Sequence, residues 1–143
     1  MLLDRAIARA PDPHLEVAPA KIGLTGLDSY FWSSDRPRPI IVTAIAGSTV
    51  VTAEAYPRQY EWDFGDGSTT TSTNAGRRWT PRRRGSIAHL YETSGRYSTS
   101  VHLIWGARWR MGTSAWQPLG YFETSDTRRY PVKEVIAWLV PPR

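Results

Sequence analysis

The sequence predicts an all-β sandwich, and three observations carry that expectation. Apolar and aromatic residues alternate with polar ones in short runs rich in Val, Ile, Thr and Tyr, the period of a half-buried strand. Turn dipeptides separate the runs: Gly47-Ser48, Asp66-Gly67 and Ser94-Gly95. Seven Trp and seven Tyr against three Phe supply large apolar area with a polar tip, which suits a thin sandwich whose aromatics end near water.

Residues 1–39 hold five of the eleven prolines and read as an extended N-terminal arm without its own core. Residues 2–10 place Leu3, Ile7 and Ala10 along one face of a short helix, marginal by itself. The stretch from Gly23 to Trp32 reads as a docked clamp. Its Leu24, Leu27 and Trp32 would cover an edge or face of the sandwich, or enter a neighbouring subunit. The sandwich itself spans residues 40–143. Ile40–Ala46 and Thr49–Tyr56 form a hairpin, and Gln59–Phe64 is a third strand ending at the Asp66-Gly67 turn. Ser68–Thr73 is a polar edge strand; Ile87–Tyr91 and Arg96–Trp105 follow, and Tyr130–Val140 closes the domain, about seven strands in all. Two long insertions interrupt it, at about 74–86 and 106–129.

Tyr60-Glu61-Trp62-Asp63-Phe64-Gly65-Asp66-Gly67-Ser68, together with His89-Leu90-Tyr91-Glu92-Thr93-Ser94-Gly95-Arg96-Tyr97, resembles the PKD (polycystin-repeat) domain over about residues 40 to 140. The resemblance implies an immunoglobulin-like β-sandwich found mostly outside cells. It implies a core role for Trp62, a tyrosine-corner role for Tyr97 and a structural role for His89, with Thr99 standing where the family usually has Val. The order Gly-Leu-Thr-Gly-Leu-Asp, a PKD core and a strand such as Tyr130–Val135 looks like small exported PKD proteins of GC-rich Gram-positive bacteria. Some PKD relatives hold calcium, which makes Asp63 and Asp66 the candidate ligands. Turn aspartates also accept backbone hydrogen bonds without any metal, and calcium takes about six or more oxygens where two carboxylates are at hand. No cofactor is implied.

The chain has no cysteine, which excludes disulfides and Cys-ligated zinc. Its net charge of +5 comes from sixteen Arg and two Lys against thirteen acids. Residues 1–39 carry five basic and five acidic side chains, so the excess sits on the sandwich. No apolar run approaches the roughly 20 residues of a membrane-spanning helix, and membrane insertion is not expected. Charges run through the middle of residues 1–10, unlike an intact signal peptide. The resemblance then implies a secreted or cell-surface protein whose signal was removed. The sequence has no nucleophile elbow, no His-Glu-x-x-His and no phosphate-cradling glycine loop, so no enzyme is expected.

The insertions carry the candidate binding residues. The first holds Arg77, Arg78, Trp79, Arg82, Arg83 and Arg84 with no acid; the second holds Arg108, Trp109, Arg110 and Trp116. Immunoglobulin-like connectivity would bring both to one pole, away from the Asp63/Asp66 turn. Arg with Trp is the composition of binding hot spots and cation–π stacks. The expected function is a structural or adhesive module making protein–protein contacts, or self-assembling, in a cell-surface pilus or fibre. The alternative is carbohydrate or cell-wall binding through exposed Trp and Arg. Nucleic acid meets the compositional criterion but not the fold class, and is not expected.

Overall fold

A computed structural model describes residues 2–136. In chain order the elements are α1 (Leu2–Arg9), β1 (Leu15–Ala18), β2 (Gly23–Leu24), β3 (Asp28–Ser33), β4 (Ile40–Ala46), β5 (Thr49–Asp63), β6 (Thr69–Ser72), β7 (Ile87–Leu90), β8 (Gly95–Met111) and β9 (Gln117–Lys133). The described residues are all-β apart from one short helix, and two sheets share one core. The small sheet has the order β1-β3-β7; the large one runs β2-β9-β8-β5-β4, with β6 also paired to β5. The large sheet is curled into a half barrel.

Residues 1–39, expected as an arm lying on the sandwich, supply α1 and three strands. Two of those strands make up most of the small sheet. Leu15, Val17 and Phe31 from this segment are buried in the core, and Ala6 of α1 joins them. The inward row of β3 is Ser29, Phe31 and Ser33, so two of its three inward positions are polar and the strand hides from an apolar count. Both serines are satisfied: the Ser29 hydroxyl meets the Tyr130 hydroxyl at 3.1 Å, and Ser33 Oγ accepts from the His14 N–H at 3.0 Å. The expected clamp residues Leu24 and Leu27 are exposed, and Trp32 lies on the outer face of β3.

Two strand boundaries differ from expectation for a physical reason. Thr49–Tyr56 and Gln59–Phe64 are one strand, β5, interrupted only by a bulge between Pro57 and Gln59. Proline has no N–H for the ladder, and a bulge is where a strand interior tolerates it. Residues 106–129 are likewise not a connection. Strand β8 continues through Gly106 to Met111, turns, and returns as β9 in a register unbroken from Ala107↔Gly120 to Gly95↔Val132. The strand expected at Tyr130–Val140 is the end of β9 as far as Lys133; residues 137–143 lie outside the described residues.

The core is aromatic. Trp62, Trp105, Tyr91, Tyr130 and Phe31 are all essentially solvent-free. Phe31 meets Phe64 at 5.1 Å and Tyr130 at 6.0 Å between ring centroids, and Tyr91 stacks on Tyr97 at 4.5 Å. Polar tips find partners, as buried phenols and indoles must. Tyr91 donates to the Phe64 carbonyl at 2.7 Å, Trp62 Nε1 to Ser72 Oγ at 2.9 Å and Trp105 Nε1 to Thr124 Oγ1 at 3.0 Å. Burial pushes the Tyr91 phenol well above its ordinary range and raises that of Tyr130. Thr99, the departure noted at an inward position, is buried and donates to the Arg128 carbonyl at 2.7 Å. Trp105→Ala should destabilise the protein by about 3–5 kcal/mol, a large aromatic removed from a closed site. The midpoint of urea unfolding measures this, and a loss below 1 kcal/mol would show that the site collapses or is wet.

Candidate functional site

Strand alternation sorts the expected arginines and tryptophans. In the large sheet, Ala53, Ala55, Ala107 and Trp105 face the core, and Trp109 lies in that row opposite Ala53. Arg108 and Arg110 are therefore on the outer face, opposite Glu54 and Thr52. The Arg108-Trp109-Arg110 triplet is thus split between two faces of one strand.

On the outer face the two arginines enclose Trp116. Residues two apart on a strand project side by side, about 7 Å apart, which is the gap an aromatic ring fills. The Arg108 guanidinium carbon lies 4.2 Å from the Trp116 centroid and that of Arg110 lies 4.5 Å from it. Arg108 also reaches over Tyr56 at 5.5 Å and pairs with Glu54 at 2.7 Å. Tyr56 in turn lies flat across Gly106, where an added Cβ would come within 2.6 Å of the ring. Next to it, Arg58 donates to the Tyr121 hydroxyl and sits over that ring at 5.1 Å. A cleft of about 220 Å³ runs between Tyr56, Arg108, Trp116, Pro118 and Tyr121. Glu54, Tyr56 and Arg58 were not singled out in the sequence. Their signal was the every-second spacing of Glu54, Tyr56 and Arg58 along β5, with Glu54 opposite Arg108.

The other insertion is a braced loop. Ser33 N–H donates to the Ala75 carbonyl at 2.8 Å, and Asn74 Oδ1 accepts from the Gly76 N–H at 3.0 Å. Arg77 N–H donates to Ser86 Oγ at 2.8 Å and Arg77 Nε to the Arg84 carbonyl at 2.7 Å. At the tip, Thr80 and Arg83 exchange backbone hydrogen bonds at 2.9 and 3.1 Å. Trp79 folds back to stack on Tyr30 with centroids 6.5 Å apart, 37% exposed. Arg77, Arg78, Arg82, Arg83 and Arg84 are exposed, and among the described residues none of them pairs with a carboxylate.

The two insertions do not meet as expected. Tyr30 belongs to the outer row of β3, so Trp79 lies on the outside of the small sheet. Trp116, Arg108 and Arg110 lie on the outside of the large sheet, the opposite surface of the sandwich. The immunoglobulin-like argument assumed two loops at one pole. One of them is a strand extension, and the other turns back over its own sheet.

The Asp63/Asp66 turn is closed by its own side chains. Asp63 Oδ1 accepts from the Gly65 N–H at 2.8 Å and Asp66 Oδ1 from the Ser68 N–H at 3.0 Å. Asp66 Oδ2 is 2.7 Å from His89 Nε2, whose ring stacks on Phe64 at 4.2 Å. Burial raises the Asp66 carboxyl, but the hydrogen bonds from His89 and Ser68 outweigh it and hold the group below its ordinary range. Among the described residues no three metal-ligating side chains cluster, here or elsewhere. Tyr97 donates to the Thr93 carbonyl at 2.6 Å, tying the start of β8 to the turn before it.

Among the described residues no helix is long and apolar enough to cross a membrane. Compared with known proteins, the chain matches no family model and no curated sequence.

Arg108→Ala and Trp116→Ala should each speed amide exchange at the tip of the β8–β9 hairpin. Their double-mutant cycle should show a coupling of about 1 kcal/mol; additive losses would mean that the stack contributes nothing. Asp66→Asn should cost about 1 kcal/mol at neutral pH. Because the folded carboxyl titrates below its unfolded value, this contribution is complete above the unfolded pKa and lost as pH falls through the folded one. The gap between wild type and variant in urea titrations should therefore close in acid. A gap independent of pH would assign the loss to the turn rather than to the charge.

Proposed function

We propose that this chain is a non-catalytic module of PKD-like type, secreted or displayed at a cell surface, that makes protein–protein contacts within an assembly. The observation that carries the reading is the loop of residues 77–84. It presents five exposed arginines with no acidic neighbour in its own sequence, on a backbone braced at both ends and across its tip. A loop held in one shape loses little conformational freedom on docking. Guanidinium groups suit planar, bidentate capture of carboxylates. The partner's complementary surface is acidic. Arg108 and Arg110 contribute to the hairpin's stability instead, since their charges are committed to Glu54 and Trp116. The Trp62 core position, the Tyr97–Thr93 bond and the side-chain-closed Asp63/Asp66 turn support the PKD-like part of the reading.

Carbohydrate binding remains the alternative because of one feature. Trp79 and Tyr30 form an aromatic wall with Ala18, Pro19 and Asp28 around a cleft of about 200 Å³. Trp116 does not serve that reading, since guanidinium groups lie over its ring.

The test compares the wild-type chain with a triple Arg82→Glu, Arg83→Glu, Arg84→Glu variant on a polyglutamate surface and on a panel of polysaccharides. Retention on polyglutamate should fall with salt and drop by about tenfold or more in the variant, with unfolding unchanged. Saturable glycan binding that survives the triple reversal and is lost in Trp79→Ala would replace this reading with the alternative.

A further inference from the structure

Strand β4 is a sheet edge that α1 packs against but that its own sequence leaves unprotected. It ends the large sheet, and among the described residues no strand pairs with its outer side. Free edges are ordinarily blunted by charge, proline, bulges or short length. The other edges of this molecule carry such devices. The outer side of β9 has Glu123, Asp126, Arg128 and Arg129, prolines at 118 and 131, a register shift opposite Ala107, and β2 against its end. Strands β1, β6 and β7 are each four residues long, and the Leu15 N–H on β1 is capped by Asp126 Oδ2 at 2.8 Å. Strand β4 is seven residues, Ile-Ile-Val-Thr-Ala-Ile-Ala, with neither a charge nor a proline.

Its exposed face is apolar as well. Ile41 is 57% and Ile45 76% exposed, and Val50, opposite Ile45 on β5, is 46% exposed. The nearest acid on that face, Glu54 opposite Ile41, is already paired with Arg108. Nothing charged opposes the approach of a second apolar strand.

The hairpin fixes which backbone groups are free. Gly47 has φ +66 at the first position of the two-residue loop Gly47-Ser48, the geometry that joins adjacent strands with matching twist. Such a loop closes on a pair that exchanges both backbone hydrogen bonds, here Ala46 and Thr49. Alternation then turns the N–H and C=O of residues 46, 44, 42 and 40 towards β5, and those of Ile41, Thr43 and Ile45 outward.

We infer that β4 pairs antiparallel with β4 of a second copy of this chain, about a two-fold axis through Thr43. The strand is self-complementary in that register. Thr43 faces Thr43, Ile41 faces Ile45 and Val42 faces Ala44, so each outward backbone group meets its counterpart. The pairing forms about six backbone hydrogen bonds and joins the two large sheets into one. The four isoleucines and two valines of the joined outer faces lie side by side as cross-strand neighbours. The interface is isologous and closes on itself, so it stops at two copies. It is separate from the arginine loop and does not depend on it.

The experiment is sedimentation velocity of the full chain across concentration, with three variants. The wild type should form a dimer. Ile45→Lys, at a 76% exposed position, should weaken it about tenfold or more while unfolding stays the same. The arginine-loop reversal should leave the dimer intact, so failure of the functional reading and failure of this one are distinguishable. In this cysteine-free chain, Thr43→Cys should give a disulfide-linked dimer on mild oxidation, since opposite Cα atoms in such a pair are about 5.5 Å apart, within disulfide range. Thr71→Cys on β6 should not. A monomer at every concentration overturns the inference. So does a dimer that Ile45→Lys spares and Thr43→Cys fails to cross-link, or growth into open-ended fibres.

Discussion

The pairing of β5 with β8 is the constraint on which the rest of the molecule depends. These strands of 15 and 17 residues stay hydrogen-bonded from Asp63↔Ser100 to Val51↔Met111. A strand rises about 3.3 Å per residue, so the pair is longer than the small sheet that covers it. Near Trp62 and Val101 its inner face meets β3 and β7. Further along, α1 packs against β4 and β5. The bulge at Pro57 makes this length possible. Residues 53, 55 and 57 face inward before it and residues 60, 62 and 64 after it. One inserted residue absorbs the proline's missing donor and keeps both halves of the inner row on the core.

Extending a sheet beyond its covering layer leaves strands with solvent on their outer face and little beneath them. The outer-face cluster answers that need. Glu54, Tyr56, Arg108, Arg110 and Trp116 come from two strands and the turn beyond, and each contact crosses between them. Partly exposed cation–π contacts contribute about 0.5–1 kcal/mol each, enough to help hold a hairpin tip in place. Arg-rich composition therefore has two meanings in one chain. On the extension it is internal bracing, and on the loop of residues 77–84 it is unpaired charge turned outward.

The all-β class was legible because its signal is local. Alternation, turn glycines and the Trp62 strand lie within a few residues of each other, and the turn aspartates bond to their own backbone. The small sheet was less legible. Only β7 was legible there: β1 is four residues between Pro13 and Pro19, and β3 faces inward through two serines whose partners, Tyr130 and the His14 N–H, are far away in sequence. The extension was misread because Gly106, the glycine at 112 and Pro118 punctuate it like a loop. Gly106 is instead the place where Tyr56 crosses the strand. The meeting of the two insertions was read from family topology rather than residues, and alternation along β8 would have argued against it: Arg108 and Arg110 cannot share a face with Trp109.

The two recognition surfaces differ in the physics that each would use, and that difference makes them compatible. Pairing at β4 draws on backbone hydrogen bonds and apolar burial, both only weakly sensitive to salt. The arginine loop acts through charge, which salt screens. They lie on different sheets, β4 at the edge of the large one and the loop over the outside of the small one. Occupying one does not obstruct the other. A two-fold pair would carry two arginine loops, one over the small sheet of each copy, and linked sites gain avidity when a partner presents matching acidic patches. A weak charge-based contact of each loop would then suffice for stable attachment. Such an arrangement would suit the proposed role of holding an assembly together.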